Sequence, residues 1–368
     1  MSLETLRAQL DTLDRQLLEL AVQRQRLSRE IAAVKSATGQ STRDFTRERE
    51  VLLRGRAVAQ DLGLPPALAE SMLKLLIRSS LATQEHARVV ARGFGTGRRA
   101  LVIGGRGKMG RWFVEFLASQ GFAVAVADPA GGVEGYAHHG EWQAGAIDED
   151  VIVVATPLGV TAQILAQLAE RKPTGLVFDI GSLKTPLRAG LARLRETGCH
   201  VASIHPMFGP DTDLLSGRHV IFVDAGSGEA VEDARALFAH TMAEQVVMTL
   251  DEHDRLIAYV LGLSHAINIA FFTALAGSGE AAPRLARLSS TTFDAQLEVA
   301  TRVAAESPAL YYEIQKLNAY GGESLAALQG AVNRLCEVVA RGEEGKFADM
   351  MTQGRDYLRT AAREPGRL

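Results

Sequence analysis

Two groups of residues in this 368-residue chain have the types and spacing to do chemistry. The first is the loop Gly105-Arg106-Gly107-Lys108-Met109-Gly110, which follows the apolar run Leu101-Val102-Ile103 and opens a helical pattern. Its glycines stand at G-x-G-x-x-G spacing: the first allows a tight turn, the second lets backbone N–H groups approach a pyrophosphate, and the third lets the helix pack on its strand. The helix N-terminus adds unpaired N–H groups and partial positive charge. Phe122 to Ala127 reads as the next strand and ends in Asp128. An acid about 20 residues past such a loop accepts hydrogen bonds from a ribose 2′-OH and repels a 2′-phosphate, so the expected cofactor is NAD rather than NADP. Thr156 and Pro157, which end the strand Val151–Ala155, are counted with the cofactor site.

The second group is cationic. Leu3, Leu6, Leu10, Leu13, Leu17, Leu20, Leu27, Ile31 and Val34 form a 3-4 apolar repeat, the signature of one long coiled-coil-like helix. Arg24 occupies the seam between Leu20 and Leu27, where a guanidinium is costly unless something anionic meets it. Arg7 and Lys35 lie close to the same side. At 1.5 Å per residue, Arg24 and Lys35 are roughly 16 Å apart along the axis and Arg7 and Arg24 roughly 25 Å. Arg7 cannot join the other two from one straight helix, whereas a second, antiparallel copy could supply it. A second helix is entered through Asp44 as N-cap and carries Arg47 and Glu48 in its first turns. A third starts at Leu64-Pro65-Pro66, and its apolar stripe turns polar at Ser80 and Gln84, one turn apart on one face.

The totals set limits. A net charge of −3 and 47% hydrophobic content give no electrostatic footprint for nucleic acid. Cys199 and Cys336 stand far apart without a metal-ligand cluster, so no metal is expected and the thiols read as reduced, in a cytoplasmic setting. Charge at Glu4 and Arg7 speaks against a secretory signal. Ile257–Gly277 has the length of a membrane span, but Ser264, His265 and Asn268 interrupt it, and the expectation is a helix buried in a core or dimer interface, with no membrane partner.

Beyond the glycine loop, Leu176–Ile180 is a buried strand that delivers Gly181-Ser182-Leu183-Lys184 to its C-terminal end. Ligands gather at that edge of open α/β sheets, which makes Ser182 and Lys184 candidates. Val201-Ala202-Ser203-Ile204 then carries His205 into Pro206-Met207-Phe208-Gly209-Pro210. After Glu252-His253-Asp254 the pattern is helical.

On Arg7, Arg24, Lys35, Asp44, Arg47, Glu48, Ser80 and Gln84, the first 90 or so residues resemble the all-helical chorismate mutase domain found fused to prephenate dehydratase or dehydrogenase. On Gly181-Ser182-Leu183-Lys184 and His205-Pro206-Met207-Phe208-Gly209-Pro210, the chain from about residue 98 resembles the prephenate dehydrogenase family. The resemblance implies a multidomain chain: an all-α chorismate mutase domain over 1–92, an α/β Rossmann-type NAD domain over 98–252, and an all-α C-terminal dimerisation domain over 253–368. It implies a homodimer with Arg7 donated by the partner, and two reactions of tyrosine biosynthesis, chorismate to prephenate and prephenate with NAD to 4-hydroxyphenylpyruvate, CO₂ and NADH. In these terms Arg7, Arg24 and Arg47 hold the carboxylates, Lys35 and Gln84 meet the ether oxygen, and Glu48 holds the ring hydroxyl. His205 accepts from the C4 hydroxyl, Ser182 orients it, and Arg302 anchors a prephenate carboxylate. His265 fits a position near the substrate or a dimer contact, and Tyr311 one linked to an L-tyrosine effector. Asp294 stands where some relatives have an arginine. Two alternatives stay open: an arogenate-preferring or NADP-using dehydrogenase, and N-terminal helices that only dimerise or sense.

Overall fold

The computed structural model describes residues 2–143 and 146–361; residues 1, 144, 145 and 362–368, which fall in the three expected domains, lie outside the described residues. The apolar repeat forms one helix, α1 (Leu3–Thr38), capped by Ser2 accepting from the Thr5 N–H and ended by Gly39 at φ +70°. Its seam is bare in the single chain: Leu10, Leu13, Leu20, Leu27 and Val34 are exposed. Asp44 caps α2 (Phe45–Asp61) by accepting from the Arg47 N–H at 2.9 Å. The helix α3 (Pro66–Arg92) starts on proline in its first turn. It packs against α1 and α2, the latter closely, since a Cβ on Gly55 would lie 2.1 Å from Leu73 Cδ1.

The sheet begins seven residues later with β1 (Arg99–Ile103), then α4 (Lys108–Ser119), β2 (Ala123–Ala127), β3 (Ala137–His139), β4 (Val151–Val154), α5 (Leu158–Arg171) and β5 (Leu176–Asp179). A short 3₁₀ turn leads into α6 (Arg188–Glu196), followed by β6 (Val201–Pro206), β7 (His219–Asp224), α7 (Gly228–Ala236) and β8 (Glu244–Thr249). The eight strands lie in the order β3-β2-β1-β4-β5-β6-β7-β8. Every pairing is parallel except β6 with β7. The central strands are buried on both faces, as their unbroken apolar runs require. One face carries Phe113, Phe178, Phe222 and Phe238, and Val89 of α3 joins that cluster, so the N-terminal helices share a core with the sheet.

The remainder is helical: α8 (Leu250–Ile257), a π-helical turn (Ala258–Leu263), α9 (Ser264–Gly277), α10 (Ala282–Arg287), α11 (Thr291–Ala304), α12 (Pro308–Leu317), α13 (Gly321–Ala340) and α14 (Glu344–Ala361). Of the two settings expected for the apolar helix, a core or a dimer interface, the single chain rejects the first. The helical run Leu250–Gly277 is apolar and long enough to cross a membrane, yet only 22% of its most apolar window is buried. Leu256, Tyr259, Val260 and Ile267 are exposed, so this helix is not buried in the core of its own chain.

Candidate active sites

The N-terminal cluster forms where α1 crosses α3. Arg24 Nη1 donates to the Leu76 carbonyl at 2.7 Å and to Ser80 Oγ, so neutral oxygens rather than an anion meet the seam guanidinium in the single chain. One turn on, Gln84 Nε2 donates to Ser28 Oγ at 2.8 Å, while Gln84 Oε1 is buried with no partner. Turning that amide by 180° would let the Ser28 hydroxyl serve Oε1 and free Nε2 as a donor. Lys35 Nζ donates to the Thr42 carbonyl at 2.7 Å.

Glu48 is held from a residue that its spacing did not mark. Arg43 Nε and Nη2 reach its two carboxylate oxygens at 2.9 and 3.0 Å. Arg47 is exposed and pairs with Glu50 at 3.0 Å, so the structure does not bring it to Arg24. Asp44 acts as helix cap. Arg7 is exposed on α1 and does not join the cluster of its own chain.

In the sheet half, β6 delivers His205, buried, against a histidine from α8. His205 Nδ1 lies 2.9 Å from His253 Nε2, and His253 Nδ1 lies 2.7 Å from Asp254 Oδ1. Burial alone would raise the Asp254 carboxyl, but hydrogen bonds from His253, Thr185 and the Lys184 and Thr185 backbone outweigh it and keep it ionised. A carboxylate only accepts, so His253 Nδ1 carries the proton and its Nε2 accepts from His205 Nδ1–H. The outer nitrogen of His205 is thereby an acceptor. Burial, then His253 and Lys184, hold His205 well below its ordinary 6.5, in the neutral form.

Lys184, a candidate by topology, is corrected to a structural role. It is fully buried, with Nζ 2.7 Å from Asp179 Oδ1 and 2.8 Å from the Ile204 carbonyl, where it props the strand that presents His205. Ser182 is half-buried on the same loop. Arg302 lies on an exposed face of α11, its side chain 73% accessible and paired with Glu298, so in this chain it is not gathered to His205. The end of α11 does approach the glycine loop, since Lys108 Nζ is 3.8 Å from Glu306. His265 packs against Tyr311 with ring centroids 4.3 Å apart and planes tilted by 53°, its Nδ1 buried without a hydrogen-bond partner. Asp294 accepts from Ser289 in the first turn of α11, behind the Ser290 cap, where an acid suits the helix dipole.

The glycine loop divides its labour differently from the motif reading. Gly104, at φ +83°, makes the turn, and a Cβ there would meet the Ala155 carbonyl at 2.5 Å. Gly105 packs against Val126 and Gly110 against the Gly104 carbonyl, where a Cβ would come within 2.7 and 2.1 Å. Met109 faces the core. Gly107 alone of the three motif glycines lines the cavity of about 580 Å³ above β1 and β4, with Gly104, Asp128, Thr156 and Pro157. Asp128 accepts from the Arg106 N–H at 3.1 Å and the Ala130 N–H at 2.9 Å, which orients its carboxylate and leaves lone pairs for a ribose hydroxyl. A bare backbone loop at a helix N-terminus with an acid at the next strand end fits a dinucleotide.

Residues 6–85 match the chorismate mutase type II family, 132–247 the prephenate dehydrogenase nucleotide-binding domain, and 249–353 the prephenate dehydrogenase dimerization domain. The chain is 30% identical to a T-protein of Enterobacter agglomerans over 93% of this chain and 88% of that one. It is 31% identical to a 4-amino-4-deoxyprephenate dehydrogenase of Streptomyces pristinaespiralis over 73% of this chain and 94% of that one. The prephenate dehydrogenase of A. aeolicus, solved with hydroxyphenyl propionate and NAD+, shares the fold at TM-score 0.55 and 18% identity, covering 72% of this chain and 98% of that one. The chain belongs to the T-protein family, a chorismate mutase and a prephenate dehydrogenase in one polypeptide.

Proposed function

We propose the following division of roles for the two activities. In the mutase, Arg24, Lys35 and the partner subunit's Arg7 bind the chorismate carboxylates and fold the substrate into a chair-like conformer, which is catalysis by proximity. Lys35 and Gln84, with its amide turned, donate to the ether oxygen as negative charge grows there, and Glu48 accepts the ring hydroxyl. Ser80 orients Arg24. Arg47 joins only if it releases Glu50.

In the dehydrogenase, Gly104, Gly107, Asp128, Thr156 and Pro157 would hold NAD, which when bound accepts the hydride leaving ring C4. His205, fixed in its tautomer by His253 and Asp254, accepts the proton of the C4 hydroxyl through its outer nitrogen as CO₂ departs, and returns it to the same oxygen once the ring is aromatic. Ser182 orients that hydroxyl, and Arg302, freed from Glu298, binds a carboxylate. The observation that carries this half is the buried line His205–His253–Asp254, which makes a neutral acceptor without a protein carboxylate facing a dianionic substrate.

The exposed leucines of α1 and the apolar run through α8 and α9, together with the dimerization-domain match, support a homodimer. The proposed bounds are 1–92, 98–252 and 253–368: the gap between α3 and β1 supports the first, whereas the change from sheet to helix comes directly after β8 at Leu250, so the bound at 252/253 falls inside α8. Two unpaired cysteines support a cytoplasmic location. L-tyrosine as effector rests on Tyr311 and its contact with His265.

The test supplies chorismate as sole substrate and follows chorismate loss and NADH together, with NADP in parallel. NADH formed with chorismate loss is the expected result. Chorismate loss without reduced cofactor would send the dehydrogenase assignment to arogenate. No chorismate loss would reduce the N-terminal helices to a dimerising or sensing arm.

A further inference from the structure

Beyond Gln84, α1 and α3 diverge around a cavity of about 790 Å³. Its charged wall is of one sign: Arg29 and Lys35 from α1, Arg88 and Arg92 from α3, and His240 from the segment between α7 and β8, with no aspartate or glutamate. The space between these cations exists because Ala32, Ala33, Ala87 and Ala91 face it. The contacts that Lys35 and Arg88 make here are to neutral oxygens, the Thr42 carbonyl at 2.7 Å and Thr42 Oγ1 at 3.2 Å. Gln84, 8% exposed, lines the same cavity and has an amide atom without a partner. Burial, then Arg88 and Arg92, disfavour protonation of His240.

We propose that this cavity is a second, non-catalytic anion site that takes a ring-bearing dicarboxylate without an amino group and holds the mutase product between the two halves of the chain. The identity of that product rests on the mutase reading above; the anion site does not. Arg29, Lys35, Arg88 and Arg92 on one space, with the neutral His240 imidazole beside them, suit a ligand of more than one negative charge. The alanine walls admit a ring, and the lack of a wall carboxylate leaves an ammonium without a partner, which disfavours zwitterions such as L-tyrosine. Lys35 and Gln84 belong to both this cavity and the mutase cluster, so the two spaces adjoin. Arg29 and Ala33 are each two residues, or about 200°, away from Ile31 around α1, so their part of the wall faces away from the seam, while Lys35 stands at the seam's edge.

The test reads His240 by NMR of histidine imidazoles in the full-length protein without NAD, its signal assigned with His240→Asn. Added prephenate is expected to shift that signal saturably and raise the imidazole pKa, and L-tyrosine at equal concentration is expected not to. Arg88→Gln should weaken the response roughly tenfold or more, the scale of a lost charged hydrogen bond; Arg29→Gln serves if that variant does not fold. In Arg24→Ala the His240 response should persist although turnover of chorismate is lost. A response lost together with turnover would place the ligand in the catalytic pocket and overturn the proposal. No saturable shift, or an equal shift with L-tyrosine or with sodium chloride at matched ionic strength, would overturn it as well. If Arg24→Ala keeps full mutase turnover while the His240 response stands, the mutase assignment fails and the anion site survives.

Discussion

Arg43 and Glu48 meet in a two-point ion pair at 2.9 and 3.0 Å, and the third nitrogen of the guanidinium donates to Ser216 Oγ at 2.6 Å, on the sheet side of the molecule. The carboxylate assigned to the substrate hydroxyl is thus aimed by an arginine that is itself anchored in the other half. Side chains about a fifth to a quarter exposed lose less to solvent screening than a surface pair. Arg43→Ala is expected to lower mutase kcat/KM about tenfold, near the cost of one charge-assisted contact, with dehydrogenase kcat within twofold of wild type. Unchanged mutase kinetics would show that Glu48 needs no such support.

His205→Asn should cut dehydrogenase kcat by roughly 10²-fold or more, the usual scale of a lost acid–base contribution. His253 is a positioning residue, so its signature lies in the pH profile. Because His205 is held well below 6.5, kcat should stay flat as pH falls to 6.5 and drop only beneath it. His253→Gln removes a neighbouring imidazole that opposes protonation, and the acid limb should move up toward 6.5. Stability follows the same sign. The unfolded chain takes up protons below 6.5 that the folded His205 refuses, so the folded state loses stability as pH falls from 6.5 toward the depressed value. A limb that does not move in His253→Gln would reject the line of histidines.

The sequence carries the elements better than the contacts. A 3-4 repeat, an N-cap at Asp44 and prolines at 65 and 66 place three helices, because those signals are local. The edge strand β8 is half-exposed and polar at Glu244 and Gln245, so no buried-strand pattern announces it. Arg24 with Ser80, 56 residues apart, was legible because both positions stand in one family pattern. His205 with His253, 48 residues apart, was not, since no spacing rule links a strand end to a later helix. The glycine motif located the loop, but which glycine turns, which packs and which faces a ligand depends on what lies above it, the Ala155 carbonyl and Val126.

Asp128 and Arg106 set a cofactor prediction. Arg106 donates its backbone N–H to Asp128 and its guanidinium to the Ala130 carbonyl, so a cation that could meet a 2′-phosphate already stands beside the acid that repels one. Asp128→Ser should therefore raise kcat/KM with NADP and lower it with NAD, moving the ratio about 10²-fold or more, since it removes a charged acceptor for one cofactor and a repulsion for the other. A preference unmoved in this variant would remove Asp128 from cofactor discrimination.

Arg302 now pairs with Glu298, and the Lys108–Glu306 contact brings the end of α11 near the glycine loop. A guanidinium that must exchange a solvent-exposed carboxylate for a substrate carboxylate gives up little. Arg302→Ala is accordingly expected to raise KM for prephenate about tenfold or more with kcat little altered, the pattern of a lost uniform binding contact. An unaltered KM would reject the anchoring role.

Glu85 decides how firmly the halves are joined. Buried on α3 beside Gln84, it accepts the Leu215 N–H at 2.7 Å and the Met242 N–H, both from the sheet half. Burial raises its carboxyl above the ordinary 4.5, against those two hydrogen bonds. Glu85→Ala would leave two backbone donors in the interface without their acceptor, at a cost of about 1–3 kcal/mol if each stays dry. The expected outcome is a lower Tm with mutase activity lost first on heating, because the mutase cluster rests on α3 and is held to the sheet through this residue. The sign with pH is opposite to that of His205. A raised carboxyl stabilises the fold fully below 4.5 and loses that contribution as pH rises through its folded value. The wild-type advantage over Glu85→Ala should therefore shrink from acid to neutral pH, leaving the hydrogen-bond share. Equal Tm values for the two proteins across that range would show that Val89 and the shared core hold the halves together unaided.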